Sequence, residues 1–472
     1  MKRITVCLIL EGSYPYITGG VSAWVQELIG ALPQIDFTLY TFSPKSGQEI
    51  RYAFPPNVIG HRDIVIGQRR RSRGRARGKR ELLAEIQALH SALASGSAPA
   101  LNEILARAPE GYFLYDEAVA SEEGWEMIVT ANQEHNPIYP FSDYFWSWKS
   151  AHDLVFTVLG DSPPPADIYH AVSTGYAGLA AMAAKGRTGR PFLLTEHGLY
   201  HKEREMEIKR AAFVRGYQRD LWIGMFNGLS RMCYRSADLV ISLFEYNRRR
   251  QMDLGAEADK AIVVPNGIDI ARFSSVIRKK RGGFHVGFVG RVVPIKDVKT
   301  FILMAKIVSE ALPEARFWCI GPTDEDPGYY EDCRVLVESF GLGGRFFFTG
   351  KQDVRAYYAF LDVLMLTSVR EAQPLVILEA YAAGVPVVAT AVGNIAELLD
   401  YDERFLAPSK DAEKLAKGVL FVHDRPEEMA RIASANREKV ERFYDKRKVY
   451  ERYAGIYRGL AEDGGWRESA SS

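Results

Sequence analysis

Short β-branched runs alternating with longer stretches of helical periodicity constrain this chain more than any other feature. Strands that are apolar on both faces need helices on both sides, which predicts parallel sheets in an α/β fold. In the first half such runs lie at 4–10, 36–42, 167–172, 191–196, 239–243 and 261–265, each bounded by turn residues. The pattern restarts at 285–289, 316–320, 345–349, 363–367 and 386–390. A chain of 472 residues exceeds the roughly 100–200 residues of one domain, so the restart predicts two doubly wound domains facing a cleft. The polar stretch 268–283, with Arg278-Lys279-Lys280-Arg281-Gly282-Gly283, reads as their linker. The expected domains are 1–275 and 284–440, followed by a helix over 441–461 that crosses back to the first domain and a tail over 462–472.

Residues 43–150 break the alternation, carry helical segments at 81–93 and 101–107, and read as a partly helical insertion. Its run Arg69-Arg70-Arg71-Ser72-Arg73-Gly74-Arg75-Ala76-Arg77-Gly78-Lys79-Arg80 contains no acidic residue. A solvated loop is the plainer reading of it, and an anionic partner, lipid surface or polymer the alternative. With 47% hydrophobic and 25% charged residues the chain is globular, and its net charge of +1 supplies no global field for nucleic acid or membrane. The apolar stretch 4–10 after Met1-Lys2-Arg3 is too short to span a bilayer and stops at Glu11-Gly12, so it reads as the first buried strand. No run of about 18 apolar residues occurs, so membrane association would need a partner protein. Cys7, Cys233, Cys319 and Cys333 are too widely spaced for a Cys-x-x-Cys metal motif or a disulfide framework, which fits a reducing, cytoplasmic compartment.

Open α/β sheets bind ligands outside the carboxyl ends of their strands, so the strand-end loops are where chemistry is expected. The strand at 363–367 runs into Ser368-Val369-Arg370-Glu371-Ala372-Gln373-Pro374-Leu375-Val376-Ile377-Leu378-Glu379-Ala380. A helix is expected to start near Pro374, whose missing donor would be unpaired there anyway, and to stop at Gly384. Glu371 then sits at the mouth of a strand-to-helix turn and Glu379 just over one turn inside, so both carboxylates can meet one ligand. Two glutamates at this spacing are common by chance, and the helix start is what gives the pair weight.

Gly290-Arg291 ends another strand, and Pro294-Ile295-Lys296-Asp297 precedes a helix expected over 298–312. A glycine turn with two cations ahead of a helix N-terminus suits a diphosphate, with solvated loop cations as the plainer alternative. Glu11-Gly12-Ser13-Tyr14-Pro15-Tyr16-Ile17-Thr18-Gly19-Gly20-Val21 follows the first strand and opens onto a helix over 22–31. Gly19 and Gly20 permit close approach of backbone to a phosphate or sugar. They do not form the spaced Gly-x-Gly-x-x-Gly fingerprint, which argues against a nicotinamide or flavin enzyme.

Gly19-Gly20, Asn266-Gly267-Ile268-Asp269, Gly290-Arg291 with Lys296, and Glu371 with Glu379 together resemble glycosyltransferase family four, the retaining GT-B enzymes, over most of the chain outside the insertion. More narrowly, Leu10-Glu11-Gly12-Ser13-Tyr14-Pro15, Thr195-Glu196-His197-Gly198 and Glu371-Ala372-Gln373-Pro374 resemble the transferases of Pel exopolysaccharide synthesis. The resemblance implies two Rossmann-like domains, acceptor-side first and nucleotide-sugar-binding second. It implies a UDP-sugar donor, UDP-glucose or a UDP-N-acetylhexosamine, as a substrate and not a cofactor. A carbohydrate acceptor, a membrane-embedded polysaccharide synthesis complex as partner, and no metal are also implied.

By the same resemblance, Arg291 and Lys296 bind the donor diphosphate and stabilise the leaving group, and Glu379 accepts from the ribose hydroxyls. Glu371 holds the sugar hydroxyls, His197 touches the sugar, and Gly20 gives a backbone donor to the phosphate. Pro374 and Leu375 stand with Gly19 among the donor-binding positions. The family's Glu-Gly-Phe-Gly is here Glu371-Ala372-Gln373-Pro374, which assigns Gln373 a part in sugar choice. His170 and Tyr14 are candidates for the acceptor side, with a satisfied structural histidine as the alternative for His170. A nucleotide-sugar epimerase or phosphorylase on the same fold, and a non-catalytic subunit of a polysaccharide synthase, are the competing readings. Asp324-Glu325-Asp326 offers carboxylates without a supporting metal motif, and Trp24, Trp146 and Trp148 read as packing residues.

Overall fold

A computed structural model describes residues 3–66, 72–73, 77–95, 101–108, 110–135, 140–211, 214, 216–279 and 281–463. Of the arginine-rich run, residues 69–71 and 74–76 lie outside the described residues, as do 464–472 of the expected tail. The chain forms two compact units, Met1–Val264 with Tyr450–Ser472, and Pro265–Val449.

In the first unit β1 (Thr5–Glu11), β2 (Asp36–Ser43), β3 (Val58–Val65), β4 (Ile168–Ala171), β5 (Phe192–Glu196), β6 (Leu239–Ser242) and β7 (Ala261–Val263) form a parallel sheet in the order β3-β2-β1-β4-β5-β6-β7. In the second, β8 (His285–Val289), β9 (Arg316–Ile320), β10 (Phe346–Gly350), β11 (Val363–Leu366), β12 (Val387–Thr390) and β13 (Leu406–Ala407) run parallel in the order β10-β9-β8-β11-β12-β13. The central strands are buried on both faces, as Val6 to Leu10 and Val363 to Leu366 show, which is why they read as continuous apolar runs. In each sheet the order reverses beside its first strand, between β1 and β4 and between β8 and β11. The loops leaving those strands are therefore where open α/β sheets of this kind bind ligands.

β3 carries no continuous apolar run. β3 is a half-exposed edge strand containing His61, Arg62 and Asp63, so the insertion contributes to the sheet as well as helices. The expected linker is also corrected. Ile268, Ile270 and Phe273 pack into the second core, and Phe273 lies 6.1 Å from the Tyr358 ring, so residues 265–283 belong to the second unit. The returning helix runs Lys446–Asp463, and from Tyr450 onward the chain is in the first unit, where Tyr453, Ile456, Tyr457 and Leu460 are buried.

The insertion helices Lys79–Ala94 and Phe141–Leu159 are joined by a buried chain of polar groups. His152 Nδ1 lies 2.7 Å from the Trp148 carbonyl, His152 Nε2 lies 3.2 Å from His90 Nδ1, and the Tyr144 hydroxyl lies 3.1 Å from His90 Nε2. A carbonyl only accepts, so His152 Nδ1 carries the proton, and in the neutral ring its Nε2 accepts from His90 Nδ1. Burial holds His152 down to about 4 from 6.5, against the Trp148 carbonyl that favours its charged form. The unfolded chain therefore takes up a proton near pH 6.5 that the folded ring refuses until about 4, so stability falls as pH falls through that window. At about pH 5 the loss from this ring is about 2 kcal/mol. Urea unfolding at pH 7.5 and 5 should show a pH dependence smaller by that amount in His152→Gln; equal pH slopes would contradict it.

Candidate active site

In the second unit two loops meet at the reversal point. The loop after β8 passes Gly290 and Arg291, turns at Pro294–Lys296, and enters the helix Val298–Ala311 through Asp297, which holds a left-handed φ of 48°. Asp297 tolerates that conformation because its carboxylate caps the helix, accepting 2.7 Å from the Thr300 hydroxyl as well as from the Thr300 amide. Its own carboxylate thus occupies the helix terminus expected to receive a diphosphate. Thr367, buried after β11, donates to the Lys296 and Asp297 carbonyls at 2.9 Å each, and the Val369 amide donates to the Ile295 carbonyl at 2.9 Å. These bonds hold the two loops side by side.

The outcome is an ion pair between Lys296 Nζ and Glu371 Oε1, whose side chains are 20% and 12% exposed. The same Glu371 oxygen accepts from the Ser368 hydroxyl at 2.7 Å, and Thr390 donates to the Ser368 carbonyl at 2.7 Å. Residues separated by 75 positions, placed in one site from spacing and resemblance, are in direct contact. Arg291 projects from the same loop and pairs with Glu325 at 2.5 Å, both half exposed, so Glu325 is a counter-ion there. Neighbouring Asp326 caps the helix Pro327–Ser339.

Pro374 is the residue before the helix Leu375–Ala382, which starts with no side-chain cap. Glu379 on that helix accepts from the Tyr358 hydroxyl at 3.3 Å; burial pushes its carboxyl up while that hydroxyl holds it down. Leu375 is 38% exposed beside it. Gln373 does not face solvent. Its Oε1 accepts from the Asn266 amide at 2.9 Å and its Nε2 donates to the Asn266 carbonyl at 3.1 Å, so its amide is engaged with backbone and not placed to read a sugar.

In the first unit the loops after β1, β4 and β5 enclose a cavity of about 320 Å³ lined by Glu11, Gly12, Ser173, His197, Glu203 and Arg204 among others. Glu11 accepts from the Tyr176 amide at 2.8 Å and the Tyr200 hydroxyl at 2.5 Å, filling the N-terminus of the helix Tyr176–Thr188. Burial pushes its carboxyl up, against the Tyr200 hydroxyl and the Arg204 charge. Glu196 is fully buried yet meets four donors, from Thr174, Tyr200, Tyr234 and Gln251, and burial pushes it up to about 7. His197 stacks edge-on at 4.5 Å against Trp24, and burial holds it down to about 4, so its ring is neutral. Its Nε2 has no hydrogen-bond partner among the described residues. Gly19 caps the helix Gly20–Ala31, and a Cβ at either glycine would meet nothing within 4 Å.

Two acceptor-side candidates are displaced. His170 is fully buried, with Nδ1 2.8 Å from the Tyr457 hydroxyl and Nε2 2.9 Å from Thr195, so it packs the interior. Tyr14 is 1% exposed and donates to Gln26 at 2.7 Å. The cavity instead presents Glu11 at the end of β1 with Glu203 and Arg204 on the helix Tyr200–Arg210, elements far apart in sequence that no spacing rule brings together.

Comparison with known proteins agrees with this architecture. Sucrose-phosphate synthase from Thermosynechococcus elongatus superimposes with a TM-score of 0.59 at 18% identity, covering 97% of this chain and 99% of that one. Anabaena Alr3699/HepE in complex with UDP and glucose gives 0.56 at 15%, covering 97% and 100%. Two Rossmann-like parallel-sheet domains are thus the fold, as in these GT-B structures. Sulfoquinovosyl transferase SQD2 of Arabidopsis thaliana is 28% identical over 299 residues, 59% of this chain and 54% of that protein. N-acetyl-alpha-D-glucosaminyl L-malate synthase of Bacillus anthracis is 30% identical over 183 residues, 38% and 45% respectively. The chain spans about half the length of these curated relatives. Residues 283–425 match the family described as Glycosyl transferases group 1. Residues 4–259, more than half of the chain, match the family described as a domain of unknown function, DUF3492, and to that family the chain belongs.

Proposed function

We propose that the chain is a retaining GT-B glycosyltransferase that moves a sugar from a UDP-sugar to a carbohydrate acceptor without a metal. The observation that carries this reading is the contact of Lys296 with Glu371 across the β8–β11 reversal, with Arg291 on the same loop. Cleaving a sugar–diphosphate bond leaves negative charge on the diphosphate, which fixed cations stabilise. Arg291 and Lys296 supply them, the uncapped amino end of Leu375–Ala382 adds backbone donors, and Glu379 takes the ribose hydroxyls. Glu371 holds the sugar hydroxyls once Lys296 turns to the diphosphate, and the neutral His197 ring touches the sugar. The Pel-like motifs favour a PelF-type role in exopolysaccharide synthesis, with UDP-glucose or a UDP-N-acetylhexosamine as donor and the protein working in the cytoplasm beside a membrane-embedded synthesis complex. No helix among the described residues is long and apolar enough to cross a membrane.

Calorimetry with UDP and with uridine tests the diphosphate assignment. Arg291→Ala should weaken UDP binding on the order of tenfold, the lower end for a hydrogen bond to a charged group because Arg291 is half exposed, and leave uridine unchanged. Equal losses for both ligands would remove the assignment. UDP release that depends on an added acceptor separates transfer from epimerisation.

A further inference from the structure

We infer that Gln373 is a positioning residue that fixes the loop carrying Glu371 to the segment by which the chain enters the second unit. This rests on the donor-site reading above. Both ends of the amide are engaged with a single residue, Asn266, 107 positions away, and Gln373 is 8% exposed. A primary amide of this length offers an acceptor and a donor side by side, the pattern that the N–H and C=O of one residue demand. The anchor is itself immobilised. A Cβ at Gly267 would lie 2.5 Å from Lys446 Cα, so two backbones touch there, and Ile268 donates to the Tyr444 carbonyl at 2.8 Å while Lys446 donates to the Ile268 carbonyl at 3.0 Å. At the other end Gln373 is two residues from Glu371, and the Ala372 carbonyl between them accepts from the Asn394 amide at 3.3 Å. The clamp therefore sets the path of the peptide that aims the Glu371 carboxylate.

An isosteric substitution separates this role from sugar reading. In Gln373→Glu at pH 8 the new carboxylate can only accept, so the bond to the Asn266 carbonyl is lost and the two oxygens repel. On acidification the carboxyl regains an O–H donor and the clamp re-forms. UDP release from UDP-glucose and UDP-N-acetylglucosamine, divided by the wild-type rate at each pH, should be lowered on the order of tenfold to a hundredfold at pH 8, the scale of a misplacement near 1 Å. Burial beside the Asn266 carbonyl raises the new carboxyl above the ordinary glutamate value of about 4.3, so the ratio should climb as pH is lowered to 5.5. Gln373→Ala should stay low at both pH values, and UDP affinity should remain near wild type in both variants. Amide exchange at Asn266, corrected for intrinsic rate, should quicken most in Gln373→Ala, which leaves that N–H without its acceptor, and less in Gln373→Glu, whose carboxylate still accepts from it. A flat ratio for Gln373→Glu, or a changed preference between the two donors with Asn266 still protected, overturns the inference. If the wild type releases no UDP from either donor, the proposed function fails instead, and amide exchange alone decides the clamp.

Discussion

Replacing Lys296 by alanine is expected to lower donor turnover by two to three orders of magnitude, the usual consequence of removing one preorganised donor from a developing oxyanion (~10²–10³). The structure adds a condition that spacing alone did not supply. Lys296 and Glu371 are each other's partner, so every single substitution also changes the survivor. With Lys296 gone, Glu371 keeps the Ser368 hydroxyl as a donor but loses its counter-charge. With Glu371 gone, Lys296 is released toward the diphosphate. Glu371→Ala should therefore lose turnover while UDP affinity holds or rises, whereas Lys296→Ala should lose both. The double variant should be little worse than Lys296→Ala, because contacting residues are not additive. Calorimetry with UDP and a UDP-release assay on the three variants decide it. An additive double variant, or Glu371→Ala losing as much UDP affinity as Lys296→Ala, would sink the assignment.

The difference between this site and the one read from sequence follows from what sequence patterns encode. Strand-end loops at a reversal of strand order are legible because buried parallel strands are continuous apolar runs, and their order of appearance places Arg291, Lys296 and Glu371 at loop mouths. Side-chain direction is not encoded that way. Gln373 stands in the same loop as Glu371 yet turns to Asn266, and His170 ends a strand yet points into the interior toward Tyr457. The helix terminus after Lys296 looked open because the capping residue Asp297 reads as a loop acid until its left-handed φ is known. β3 was hidden because an edge strand lacks the apolar run, and the linker because a polar segment can still bury Phe273.

Gly393→Ala is expected to be a severely damaging single-methyl change at this site, although Gly393 touches no reacting group. Gly393 holds a left-handed φ of 59°, and a Cβ there would lie 2.0 Å from the Glu371 carbonyl oxygen and 3.1 Å from that of Ala372. Those atoms are backbone and cannot swing aside as a side-chain tip would. Gly341 supplies the control, with a φ of 63° and nothing within 4 Å of its would-be Cβ. Gly341→Ala should cost only the left-handed alanine, about 1–2 kcal/mol. Gly393→Ala should add about 1–3 kcal/mol of overpacking, relieved only by moving the loop that carries Glu371. Turnover of the folded fraction should then fall on the order of a hundredfold, with UDP affinity less affected because Arg291 and Lys296 belong to the other loop. Urea unfolding of both variants, with turnover measured where each is folded, makes the comparison. Equal destabilisation with full turnover in Gly393→Ala would mean that this loop does not set the carboxylate's aim.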